Sequence, residues 1–391
     1  MRRSIIMNRT HETLIFDFDE STGHAVGTTT ILDERRMPPE FTTHGKHALY
    51  ARRVDAWWKG RAIPSTRDGI NRVLADLRLS STVELLNHTR GLSLSDQYWV
   101  REANDDVRWQ DVNFFTNAFP EQLGYALLSE RSSSHQFSFN APDTSTGGDL
   151  PKRWAIGADG TRLLIKGGRT GQEPINELIA TRLAARLYIP AVHYTLGEYD
   201  NRPVSICAEM LSDTEELISA WQALGTVKQN NRLSARDQWI AAAVAMGADA
   251  KQVSDATDDW LLIDWLMRNT DRHYNNFALI RDVETFQTRP APVFDTGTSL
   301  WAGQLRITNA DYRTRPFYVT TKSPTARRQL HLIRNWSRYD LDSLNDWPEE
   351  AAHHLRTYGL ISDARIQLIR QALQERVEQA KQASVRRSPA A

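Results

Sequence analysis

Apolar and polar residues alternate at the two-residue period of a strand in two early stretches, 13–18 and 25–32, separated by the turn-forming run Glu20-Ser21-Thr22-Gly23. Helical spacing follows at 70–79, where Ile70, Val73, Leu74 and Leu77 share one face. Two further strands are predicted at 154–156 and 162–166, joined by the turn Ala158-Asp159-Gly160. Pro174 suits the first turn of a helix that runs through Leu187 and puts Leu178, Ile179, Leu183 and Leu187 on one side. Residues 203–211 read as another apolar strand. From 214 onward the patterns predict helices at 214–224, 234–246, 255–268, 348–359 and 362–383, with the short apolar runs 277–280 and 292–294 suited to a hairpin.

Punctuation divides this series. Residues 129–134 are polar, and Asp143-Thr144-Ser145-Thr146-Gly147-Gly148-Asp149 is rich in helix and strand breakers, the mark of a boundary followed by a flexible functional loop. The division is an α+β N-terminal module at 1–125, a mixed unit with a glycine-bearing loop at 126–213, and a mainly helical unit at 214–383. Residues 384–391 form a tail without apolar periodicity, expected to be disordered. A chain of 391 residues exceeds one ordinary core, which agrees with several packed units.

Charge and cysteine content narrow the classes. Lys plus Arg and Asp plus Glu number 48 each, which argues against a protein that coats nucleic acid or lies on a membrane. The one cysteine, Cys207, can make neither an internal disulfide nor a thiolate zinc cluster, so a reducing cytoplasm is the expected setting. No apolar run approaches the roughly 20 residues that span a bilayer, and Met1–Asn8 lacks the apolar core of a signal peptide. The twelve tryptophans, Trp57 and Trp58 among them, read as core and interface anchors.

The stretch with the most chemistry is Asn269-Thr270-Asp271-Arg272-His273-Tyr274-Asn275-Asn276-Phe277. Phosphoryl transfer requires an acceptor hydroxyl to be oriented and its proton received, and metal ions to be held by oxygen ligands against the phosphates. Asp271 and Asn276 meet the D-x-x-x-x-N spacing of kinase catalytic loops, with Asn275 a second choice at the wrong spacing. Asp295, leaving the apolar run 291–294 and followed by Thr296-Gly297, stands where a second metal-binding carboxylate belongs. Upstream, Lys166 ends an apolar strand and Glu177 lies on the next helix, a lysine for the α- and β-phosphates and its ion-pair partner. The loop Thr144–Asp149, with Ser145, Thr146, Gly147 and Gly148, would cover the phosphates with backbone N–H groups. D-R-H-x-x-N should arise by chance on the order of once per thousand chains of this length. A strand-end lysine, a helix glutamate or a Gly-Gly pair alone is usually a surface or loop feature. His273 reads as a packing and hydrogen-bonding residue. The order of all the parts raises each of them.

At these residues the chain resembles the HipA-like kinase family. Asp271 to Asn276 matches the family's D-R-H-x-x-N loop, and Gly148-Asp149-Leu150-Pro151-Lys152 matches its G-x-Q-P-K loop with leucine in place of glutamine. Lys166, between Ile165 and Gly167, matches the lysine strand, and Asn176-Glu177 through Arg182-Leu183-Ala184 the N-E-x-x-x-x-R-L-A helix. The Ser93–Trp99 stretch, S-L-S-D-Q-Y-W, is similar to one in stand-alone members. The resemblance covers roughly residues 140–375. It implies an atypical two-lobed protein-kinase-like fold, ATP and Mg2+ as cofactors, and transfer of the γ-phosphate to a serine or threonine of a protein substrate. It further implies Asp271 as catalytic base, Asn276 and Asp295 as Mg2+ ligands, Lys166 as phosphate ligand, and the backbone of Glu209-Met210-Leu211 as adenine hinge. Family members phosphorylate themselves within the glycine-rich loop, which makes Thr144, Ser145 or Thr146 an expected site. A small antitoxin-like or regulatory protein is an expected partner, although no fused helix-turn-helix is evident and direct nucleic-acid binding is not expected. A lipid or small-molecule kinase of phosphoinositide-kinase type, and a nucleotide-binding pseudokinase, are the alternatives.

Overall fold

The structure, a computed structural model, describes residues 1–19, 24–41, 50–128, 140–310 and 329–386. Strands β1 (Arg2–Asn8), β2 (His11–Asp19), β3 (His24–Ile31) and β4 (Tyr98–Glu102) form an antiparallel sheet in the order β3-β2-β1-β4. The central strand β1 was not visible as alternation, because Ile5, Ile6 and Met7 are all buried. Successive side chains of a strand point to opposite faces. Ile6 therefore joins one core with Leu14, Phe16, Trp57 and Tyr98, while Ile5 and Met7 join a second with Leu92, Leu94, Trp99 and Trp109. Helices α1 (Tyr50–Arg61), α2 (Ile70–Leu77), α3 (Thr82–His88), α4 (Trp109–Val112) and α5 (Gln122–Leu128) complete this region.

A second antiparallel sheet follows in the order β5-β6-β8-β7, from β5 (Lys152–Ile156), β6 (Arg162–Lys166), β7 (Thr195–Tyr199) and β8 (Arg202–Ala208). Helix α6 (Gln172–Arg186) lies between β6 and β7 in sequence and packs on β8. Trp154 of β5 lies in the same hydrophobic cluster as Trp99 and Trp109 of the first region.

The segment predicted as helix at 214–224 is divided in the structure. Residues Glu215–Ser219 form strand β9, and only Ala220–Gly225 (α7) is helical. Tertiary pairing decides this: β9 lies antiparallel to β10 (Ala278–Asp282), which in turn pairs with β11 (Thr288–Pro290). The hairpin expected between 277–280 and 292–294 thus closes earlier, and 292–294 lies beyond it. Helices α8 (Ala235–Ala245), α9 (Ala250–Met267), α10 (Trp347–Arg356) and α11 (Asp363–Val385) build the largest core, around Trp239, Trp260, Leu266, Trp347 and Leu373. Helix α9 is buried without interruption from Thr257 to Met267, the pattern of a helix inside a core rather than on its surface. Helix α11 reaches Val385, so Ser384 and Val385, expected in a disordered tail, are helical; residues 387–391 lie outside the described ones, as does the polar run 129–134.

Candidate active site

Buried Lys166 and Glu177 meet partly exposed Asp295 where β6, α6 and the segment after β11 converge. Lys166 Nζ stands 3.5 Å from Glu177 Oε1, 3.3 Å from Asp295 Oδ1 and 3.0 Å from the Tyr194 hydroxyl. Burial alone would lower the Lys166 pKa, but Tyr194, Asp295 and Glu177 outweigh it and hold the ammonium well above its ordinary value. Burial would raise Asp295, yet Lys166, Lys152 and Arg272 together bring it below the usual carboxylate range. Glu177 also accepts from the backbone N–H (3.0 Å) and hydroxyl (2.6 Å) of Thr296, and so ties α6 to the segment that carries Asp295. Asp295 itself has φ +56°, a left-handed conformation that a non-glycine residue keeps only where its surroundings fix it.

The 269–277 loop leaves α9 at Arg268, which also has a left-handed φ of +51°. Its order comes from Arg272, buried and ion-paired at 3.0 Å with buried Asp264 of α9. Arg272 donates to the carbonyl of Phe294 (2.7 Å) and to that of Asn276, joining the loop to the residue before Asp295. Asn269 donates to Asp264 at 2.8 Å and accepts from the Asp271 N–H at 3.0 Å. Asp271 is thereby presented with its side chain exposed. Asn276 is buried and donates through Nδ2 to the Asp271 carbonyl at 2.8 Å; among the described residues no donor reaches its Oδ1. His273 accepts from the Asn275 N–H, and Asn275 is exposed.

The loop read as flexible is seated in the structure. Pro142–Ser145 is a 3-10 turn in which Asp143 and Thr144 are fully buried. The Thr144 hydroxyl bonds to the Ala141 carbonyl and Thr89, that of Ser145 to the carbonyls of Leu92 and Pro142, and that of Thr146 to the Pro142 carbonyl. Gly148 has φ +86°, and a Cβ there would lie 2.5 Å from Lys152 Nζ. Lys152, buried on β5, was not singled out from the sequence although it closes the G-x-Q-P-K-like run; a lysine that opens a strand gives no sign of burial. Its pKa falls to about 7 through burial, with the charge of Asp295 the main influence opposing that fall. Tyr194 was missed as well, since its part depends on packing alone.

At the expected hinge, the Glu209 carboxylate accepts from its own neighbour, the Leu211 N–H, at 2.9 Å. Burial pushes Glu209 up to about 8. Lys166, Glu177 and Asp295 are therefore in direct contact, Asn276 is joined to them through Arg272 and Phe294, and Glu209 and Leu211 lie at the end of β8. Among the described residues no group of three or more His, Cys, Asp or Glu could hold a metal ion. Magnesium uses one or two protein ligands and takes the rest from water and phosphate. The open Oδ1 of Asn276 and the ionised carboxylate of Asp295 are donors of that kind.

Sheet, helical core and the charged junction between them define a kinase-like α+β fold. A family model for the HipA-like C-terminal domain matches residues 144–382, more than half of the chain, and the chain belongs to that family. Over 98% of this chain and 99% of the other, the fold is similar to HipA of Shewanella oneidensis MR-1, solved with HipB and operator DNA, at a TM-score of 0.57 and 12% identity. A weaker similarity, TM-score 0.44 and 16% identity, covers 60% of this chain and 94% of the Helicobacter pylori proinflammatory kinase CtkA. A search of the curated proteins matched none. Among the described residues no helix is long and apolar enough to cross a membrane.

Proposed function

We propose that the protein is an ATP-dependent serine/threonine protein kinase that transfers the γ-phosphate of Mg-ATP to a hydroxyl of another protein. The observation that carries this reading is the contact of Lys166 with both Glu177 and Asp295, beside a loop that presents Asp271 and Asn276. Lys166, with its charge secured by two carboxylates, binds the α- and β-phosphates, and Glu177 keeps it in place. Asn276 and Asp295 would hold Mg2+, which when bound neutralises charge on the phosphates. Asp271 orients the acceptor hydroxyl and receives its proton as the new oxygen–phosphorus bond forms and the bond from the γ-phosphorus to the β,γ-bridging oxygen breaks, releasing ADP. Arg272 holds Asp271 and Asp295 in register through Asp264, Asn276 and Phe294. The end of β8 around Glu209–Leu211 serves as the adenine hinge. A small regulatory protein partner completes the proposal, by analogy with the HipB-bound structure, and co-purification with the native chain tests it.

The test of function is transfer of labelled γ-phosphate with Mg2+ to the protein itself or to a protein substrate panel, in native, Asp271→Asn and Asp295→Asn forms. Label that vanishes in both variants is the expected result. Nucleotide binding without any transfer would overturn the kinase reading in favour of a pseudokinase, and transfer to lipid head groups alone would move it to the lipid kinases.

A further inference from the structure

The seat of the glycine loop is built by a short segment far away in sequence. Between α1 and α2, residues 63–68 take the loop's carbonyls almost one after another. The Ile63 N–H donates to Thr144, and the Asp68 N–H to Asp149. Arg67 donates to Thr146, to Gly147 at 2.8 Å and to Gly148 at 2.9 Å. Thr66 binds the Asp149 side chain at 2.6 Å, and Arg169, just beyond β6, binds Asp68 at 2.8 Å. Arg67 is only 2% exposed, and among the described residues its Nη1 has no hydrogen-bond partner. No carboxylate forms an ion pair with it among the described residues, so its charge is spent on peptide carbonyls.

In a planar trans peptide the C=O of one residue and the N–H of the next point in opposite directions. A guanidinium that gathers the carbonyls of 146, 147 and 148 therefore turns the N–H groups of Gly147, Gly148 and Asp149 away from itself together. Those three amides donate to nothing among the described residues. Lys152 Nζ lies beside Gly148, and Lys152 in turn faces Asp295 and Lys166 electrostatically. Successive free N–H groups beside a lysine make an anion-binding concavity.

We propose that Arg67 is a positioning residue for the nucleotide: from outside the matched family domain, it fixes the glycine loop so that three backbone amides face the phosphates. This rests on the kinase reading and adds to it a residue that touches no substrate and sets affinity for the phosphates alone. The nucleoside half of ATP is outside its reach.

The full chain as Arg67→Met and Arg67→Lys provides the test, with dissociation constants measured for Mg2+ plus a non-hydrolysable ATP analogue and, separately, for adenosine. Loss of the ordered donors should weaken the ATP analogue by about tenfold or more in Arg67→Met. Adenosine should stay within about twofold, the melting temperature near native, and any transfer activity should show a raised KM for ATP with kcat retained. Arg67→Lys keeps the charge without the fork and should fall between, which serves also if Arg67→Met does not fold. Equal weakening of both ligands, or no weakening of the ATP analogue in either variant, overturns the proposal. A native chain that binds neither ligand would instead bring down the kinase reading, and this inference with it.

Discussion

Two loops meet at the site, and each is held by a buried arginine, yet the two arginines are secured differently. Arg272 of the 269–277 loop sits against the carboxylate of Asp264, on the helix that the loop has just left. Arg67 holds the glycine loop from the N-terminal region and meets only carbonyls. Burial brings the Arg67 pKa down to about 10, with Asp143 and Asp149 opposing from a distance. A buried cation with a paired anion is a fixed part of the fold. One compensated by peptide dipoles is an attachment that the rest of the fold can survive losing. The difference teaches that the 269–277 loop is set by its own core, whereas the glycine loop borrows its shape from elsewhere.

The strongest way to break this contrast is to remove the anion. Asp264→Ala leaves Arg272 buried and uncompensated, and should cost about 3–5 kcal/mol of stability in chemical denaturation, together with all phosphoryl transfer. Arg67→Met should change stability by about 1 kcal/mol in the same experiment, because the carbonyls of exposed Gly147 and Gly148 can turn to water. A loss as large as that of Asp264→Ala would erase the distinction.

A smaller effect sharpens it from inside the site. Lys152 has a pKa near 7, lowered mainly by burial. Above pH 7 the free protein holds it largely neutral, and bound phosphates favour its charged form. ATP binding at pH 8 should therefore take up close to one proton, seen as a dependence of calorimetric heat on buffer ionisation enthalpy, and lost in Lys152→Met. Affinity should weaken as pH rises from 7 to 9. The same shift makes folding stability rise with pH between about 7 and 10.5, since there the unfolded chain binds the extra proton. The smallest expected change concerns the loop hydroxyls. All three are hydrogen-bonded in the seat, so phosphate on Thr144, Ser145 or Thr146 requires the loop to leave it. At saturating ATP, label mapped to these residues by mass spectrometry should increase about two- to fivefold in Arg67→Met, the change expected when the seat is weakened by about 0.5–1 kcal/mol of hydrogen bonding.

The family and the kinase-like fold class were legible in the sequence, because D-R-H-x-x-N and its upstream lysine and glutamate occur in a fixed order. The proximity of Lys166, Glu177 and Asp295 followed from the same order. Much of the rest was invisible for physical reasons. Strand β1 is buried on both faces and so lacks alternation, and β9 (Glu-Glu-Leu-Ile-Ser) is extended only because β10 lies beside it. Arg67 looks like any turn arginine, and its role is created by a loop some eighty residues later. The hydrogen-bonded seat of 143–149 was invisible for the same reason, since breaker residues report local freedom and not the partners that bind the loop.

Trp154 is in the second sheet by sequence but in the hydrophobic cluster of Leu92, Trp99 and Trp109 by packing. Strand β9 is likewise bound to the first region through Leu217 N–H to the Ser95 carbonyl and Gln97 to the Glu215 carbonyl. Such shared packing makes the chain's melting a collective event. Cutting it at the predicted boundary near 125 should expose two complementary apolar surfaces, and the separate pieces should aggregate alone and recover solubility when expressed together.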